Sequence, residues 1–221
     1  MLLSTGVPSV SANATNNVAM WLGSFASAGS FRSHMDVPRG TLVRMIVTSG
    51  VGSVAGAILL LHTSNAQFSG LIPYLLLTAT ALFIFGPALT RLSQRSHGGL
   101  TLDSPLGLAL QFLIAVYGGF FGAAIGILML ALLALLGMGD LRRAQAFKLL
   151  LATVINGVAC VPFVLAGAIA WVPAIAMSVG SIAGGYLGAG VVKRLPPGVV
   201  RAVVIVVGVS MTAYFFWKTY A

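Results

Sequence analysis

The run from Leu106 to Met138 limits what this chain can fold into more than any other stretch, because it holds no charged side chain. As one straight helix it would extend roughly 50 Å, against a bilayer hydrocarbon core of about 30 Å. Two full crossings would need about 40 apolar residues and a turn. The intermediate length predicts a broken element, two short helices meeting near Gly118 to Gly126, within Val116-Tyr-Gly-Gly-Phe-Phe-Gly-Ala-Ala-Ile-Gly126.

Composition extends this reading to the whole chain. With 58% hydrophobic and 7% charged residues in 221, and a mean hydropathy of +1.03, it reads as an all-α integral membrane protein with the lipid bilayer as its surroundings. The net charge of +9 does not point to nucleic acid, because the Lys and Arg residues fall in short connections between apolar runs. Cys160 is the single cysteine, which excludes a disulfide within the chain and suits a small packing residue. Met1 to Val10 lacks the basic start and apolar centre of a cleavable signal peptide.

About six full spanning helices are expected besides the broken element. They cover Asn13–Phe31, Leu42–Leu61, Leu71–Leu89, Ala146–Ala168, the stretch after Trp171 as far as Val192, and Val199–Trp217. The segment 91–105 is the longest polar stretch and the expected linker between a first repeat, 1–90, and a second, 106–221. Val51-Gly-Ser-Val-Ala-Gly56 recurs as Val179-Gly-Ser-Ile-Ala-Gly184, and Ala12-Asn-Ala-Thr-Asn16 pairs more loosely with Ala144-Gln-Ala-Phe-Lys148. A duplication explains both.

Charge orients the copies. If 106–138 is re-entrant, Arg32, Arg39, Arg44, Arg91, Arg95, Arg142, Arg143, Lys148, Lys193, Arg194 and Arg201 share one side, and Lys218 stands alone on the other. If it crosses once, the bias vanishes. The positive-inside rule therefore favours a re-entrant element and an inverted repeat.

No conventional active site can be assembled. Asp36, Asp103 and Asp140 are the only acids, and they and the three histidines lie in connections or at span ends, so neither paired carboxylates nor metal-ligand spacing arises. An enzyme, a metal and a cofactor are not expected. Polar groups within spans carry more information, since an unpaired amide in hydrocarbon costs several kcal/mol. Lys148, Thr153 and Asn156 lie on one stretch, and Asn13, Asn16, Asn17 and Ser24 on its counterpart. Either they join helices by hydrogen bonds or they line a site for a polar solute. Gly118, Gly119 and Gly122 have the same two readings, close helix packing or a break that presents backbone N–H groups to an anion.

Several runs resemble the TauE/SafE family of bacterial membrane transporters. They are Gly118-Gly-Phe-Phe-Gly-Ala-Ala-Ile-Gly126, Asp140-Leu-Arg-Arg-Ala-Gln-Ala-Phe-Lys148, Thr153-Val-Ile-Asn-Gly157, Val179 to Gly188 with Arg194-Leu-Pro-Pro197, and in the first half Ala12 to Asn16 and Trp21-Leu-Gly-Ser24. The resemblance implies a multi-pass permease of the bacterial inner membrane, exporting sulfite, a sulfonate or a related small anion. Asn13, Asn16, Asn17, Ser24, Gly118, Gly119, Gly122, Lys148, Thr153 and Asn156 are then the expected substrate-binding set. The alternative is a membrane accessory or assembly subunit that transports nothing itself. A homo-oligomer is left open. Relatives usually begin with a glycine-rich broken element, of which Met1 to Pro8 is only a stub, so the first repeat is expected to be N-terminally incomplete.

Overall fold

In the computed structural model, residues 6–28, 37–95, 101–138, 140–192 and 197–220 are described, and among them every regular element is a helix. The elements are α1 (Ser9–Ala28), α2 (Arg39–His62), α3 (Asn65–Arg95), α4 (Pro105–Phe120), α5 (Ile125–Leu135), α6 (Leu141–Leu165), α7 (Trp171–Val192) and α8 (Pro197–Tyr220). The expected linker at 91–105 therefore begins inside a helix, because α3 continues to Arg95.

Four stretches among the described residues are long and apolar enough to cross a bilayer, namely Arg39–His62, Asn65–Gly86, Arg143–Leu165 and Ala202–Tyr220. This is fewer than the six expected. The first half of α1 carries Ser11, Asn13, Thr15, Asn16 and Asn17, and the apolar stretch of α7 is described only over Trp171–Ala183. Length and composition nonetheless make the chain a multi-pass membrane protein.

Local chemistry explains the boundaries. Ser104 caps α4, its Oγ accepting from the Gly107 N–H at 3.1 Å, with Pro105 in the first turn where a missing N–H costs nothing. The α2–α3 turn is minimal because Ser64 and Gln67 cap reciprocally. The Ser64 N–H donates to Gln67 Oε1 at 3.1 Å, and the Gln67 N–H to Ser64 Oγ at 3.2 Å.

The run from 106 to 138 is broken, as its length requires. Helix α4 ends where the N–H groups of Phe121 and Gly122 both donate to the Tyr117 carbonyl, at 2.9 and 3.4 Å. Gly122 then takes φ +80° and Ala124 φ 60°, and the chain reverses into α5. At the base, a Cβ on Gly107 would stand 2.9 Å from Leu136 Cδ2, so the two arms enter and leave at the same end.

The hairpin α4–α5 packs mainly on α2, along which α4 runs in the same direction. Successive contacts join Arg44 to Asp103 (3.3 Å), Ser49 to Gln111 (2.9 Å), and Gly52 to the backbone of Phe112. At Gly56 a Cβ would collide with the Val116 carbonyl, and at Gly119 with the Ser53 carbonyl. Small residues thus let two backbones touch where lipid supplies no hydrophobic drive for association. The equivalent position in the repeated motif, Gly180 on α7, has nothing within 4 Å. Around the hairpin, Met45, Ala115, Ile125, Met129, Leu133, Phe147, Leu151 and Ile155 form one buried cluster from α2, α4, α5 and α6.

Two ends of the molecule can be distinguished. At one lie the start of α2, the base of the hairpin and the start of α6, around a cavity of about 180 Å³ lined by Pro38, Leu102, Gly137, Asp140 and Arg143. At the other, Ser9 Oγ donates to the Asn65 carbonyl (2.9 Å), the Ala170 N–H to Thr15 Oγ1 (3.0 Å) and Tyr220 Oη to the Gly70 carbonyl (3.2 Å).

Candidate functional site

The tip of the hairpin is where buried polar groups gather. Gly118 and Gly119 are buried packing positions, the first against Ile155 and Ile125, the second against Ser53. One turn on, Gly122 leaves helical geometry, and a Cβ there would stand 3.9 Å from Asn17 Nδ2. Asn17, on α1, is 5% exposed. Its Oδ1 accepts only a long contact from Cys160 Sγ, at 3.8 Å.

Cys160 ties α1 to α6 at this level. Its thiol also donates to the carbonyl of Asn156, at 3.1 Å one turn earlier on the same helix face. Asn156 is 8% exposed. Lys148 approaches from the other side of the break. Its Nζ lies 3.7 Å from the place a Cβ on Gly126 would occupy, in the first turn of α5. Among the described residues no carboxylate pairs with it.

The start of α5 has no side-chain cap. The N–H groups of Ile127 and Leu128 turn back to the Ala124 carbonyl, at 3.0 and 3.4 Å. Those of Ile125 and Gly126 have no acceptor among the described residues. A helix N-terminus with free N–H groups carries roughly half a positive charge and favours an anion. The Lys148 ammonium at Gly126 and the Asn17 amide at Gly122 thus stand on either side of this terminus.

Other residues of the expected set are placed differently. Asn13 Nδ2 donates to the Phe120 carbonyl at 2.9 Å, capping the last turn of α4. Thr153 Oγ1 donates to the Leu149 carbonyl of its own helix at 2.8 Å, which leaves its hydroxyl proton committed. Asn16 is exposed on α1. Ser24 lies on α1 with its side chain outside those described.

Sequence reasoning passed over the polar groups that hold the hairpin. Ser53 Oγ donates to the Ile155 carbonyl, joining α2 to α6 beside Gly119. Gln111 is wholly buried and donates from Nε2 to Ser49 Oγ. At the base, Thr41 Oγ1 donates to Asp103 Oδ2 at 2.6 Å while Arg44 pairs with the other oxygen. Gln111, the one amide in the uncharged run, was the available signal.

The fold and the site define a class: an all-helical, multi-pass membrane protein in which a discontinuous helix meets buried donors, the arrangement of a transporter. The profile of the family described as "Sulfite exporter TauE/SafE" matches residues 1–215, and the chain belongs to that family. A "Probable membrane transporter protein" of Haemophilus influenzae is 29% identical over 213 residues, covering 96% of this chain and 82% of that one. The "Probable membrane transporter protein YfcA" of Escherichia coli is 27% identical over 221 residues, covering 99% and 80%. "Probable membrane transporter protein ORF9" of a Sinorhizobium species is 25% identical over 211 residues, covering 95% and 79%. No solved structure matches the chain. The protein is therefore a membrane transporter of a small molecule.

Proposed function

We propose that the chain exports a small sulfur-containing anion, sulfite or a sulfonate, across the bacterial inner membrane, binding it between the start of α5 and the side chains of Asn17, Asn156 and Lys148. The observation that carries this reading is the Lys148 ammonium against the uncapped first turn of α5, with no carboxylate paired to it among the described residues. An ammonium and the partial positive charge of a helix N-terminus suit an anion rather than a cation, and the buried amides of Asn17 and Asn156 add N–H donors for its oxygens. The substrate class and the direction come from the family's description as a sulfite exporter.

On this reading the chain is not an enzyme, since its site groups bind and release without making a bond. The segments 1–90 and 106–221 are two inverted repeats, and α2 with the hairpin forms one side of the pathway. The test is uptake of radiolabelled sulfite, a sulfonate and a carboxylate control into proteoliposomes holding the full chain. Accumulation of the sulfur anions above protein-free vesicles supports the reading, and their exclusion alongside a transported carboxylate sinks the substrate class.

A further inference from the structure

We infer that the cleft where the starts of α1 and α3 meet the end of α8 is a phospholipid site, with the phosphate on Lys218 and an acyl chain along one face of α8. The inference is independent of the transported solute. The cleft has a volume of about 520 Å³ and combines the two chemistries such a ligand needs, with Asn65, Lys218 and Thr219 polar and Ile72 and Phe215 apolar in its lining. Hydrogen bonds between helices fix its walls. Ser69 Oγ donates to Ser9 Oγ at 3.0 Å, the Val10 N–H to Asn65 Oδ1 at 3.1 Å, and Tyr220 Oη to the Gly70 carbonyl at 3.2 Å. The first two tie α1 to α3, and the third ties α8 to α3.

Charge and level in the bilayer choose the ligand. Lys218 is the basic residue that the partition of Lys and Arg leaves away from the crowded side, and the described acids Asp103 and Asp140 lie at the hairpin-base end. An ammonium at this level meets lipid phosphates, to which it donates charge-assisted hydrogen bonds. Tyr74 packs edge to face on Phe216 and Tyr220 near it, at centroid distances of 5.2 and 6.1 Å, in the manner of the aromatic belt at a membrane–water interface. Going back along α8 from Lys218, the residues Phe215, Met211 and Val207 follow at steps of three, four and four, which keeps them on one face. Met211 is 49% and Val207 54% exposed. From Lys218 to Val207 the helix rises roughly 16 Å, about half of a hydrocarbon core of roughly 30 Å. A headgroup cation is thus followed by an apolar stripe one leaflet deep. A free anion could use the first but not the second, so a lipid is the occupant that uses both.

Binding is read by native mass spectrometry of the purified full chain with phosphatidylglycerol, with diacylglycerol of the same acyl chains, and with inorganic phosphate as competitor. Phosphatidylglycerol is expected to be retained at least about fivefold more than diacylglycerol, the factor for one basic residue at a lipid surface. Lys218→Gln is expected to remove that preference and Lys218→Arg to keep it; Lys218 is exposed, so neither change disturbs packing. Equal retention of the two lipids by the wild-type chain overturns phosphate recognition. A preference unchanged in Lys218→Gln overturns this cleft as its source, and displacement of the lipid by inorganic phosphate overturns the lipid in favour of a free-anion site.

Discussion

Gly107 and Leu136 meet at the base of the hairpin, where a Cβ on the glycine would stand 2.9 Å from Leu136 Cδ2. Because the two residues bracket the whole broken element, their proximity places the α3–α4 and α5–α6 connections at one end. By the positive-inside rule that end is expected to face the cytoplasm. In a Cys160→Ser background, cysteines at Thr101 and Met138 are expected to resist an impermeant maleimide applied to intact cells, while one at Gln67 is labelled. Labelling at Met138 without labelling at Thr101 would mean that the run crosses once.

The side chain of Asn156 is buried on α6, whereas the hydroxyl of Thr153 is bonded to its own helix. Asn156→Leu is expected to lower transport by roughly five- to twelvefold, the cost of one lost hydrogen bond of about 1–1.5 kcal/mol to the solute, with folded yield little changed. Thr153→Val should leave transport within about twofold. Transport rates normalised to monodisperse protein check both. An equal fall in yield and transport for Asn156→Leu would assign it to helix joining instead.

Backbone meets backbone at Gly119, so an added methyl has no flexible neighbour to displace. Gly119→Ala is expected to destabilise the protein by about 1–3 kcal/mol, read as a lowered melting temperature in detergent. Gly180→Ala, made in the repeated motif where nothing lies within 4 Å, should change stability by less than about 0.5 kcal/mol. Similar shifts for the two variants would refute the close approach of α4 to α2.

Ser53 joins α2 to α6 through the Ile155 carbonyl. Removing the hydroxyl in Ser53→Ala is expected to cost about 0.6 kcal/mol and at most about 1.7, the range for such bonds within membranes. The variant should still transport the sulfur anions, because Ser53 serves the packing of the hairpin and does not touch the proposed anion. Loss of transport with an unchanged melting temperature would place Ser53 in the site.

Much of the architecture was legible in the chain before any coordinates. The uncharged length from Leu106 to Met138 is intermediate between one crossing and two, and the partition of Lys and Arg favours return to the side of entry; both follow from bilayer thickness and charge alone. What sequence could not supply was the partner of each polar group. Asn13, Asn17, Thr153 and Asn156 look alike as polar residues in or beside apolar spans, yet Asn13 caps α4, Thr153 bonds its own backbone, and Asn17 and Asn156 are buried where Cys160 ties α1 to α6. Which of these occurs depends on helix rotation and on contacts between residues more than a hundred positions apart, such as Asn17 with Cys160. The glycines divide for the same reason. Gly52 and Gly180 occupy the same place in a repeated motif, but only the first has another helix against it. Periodicity and charge determined which segments are helices and where the chain turns back. Tertiary packing decided which partner each polar group meets, because that depends on what lies across from it and is set only when the helices come together.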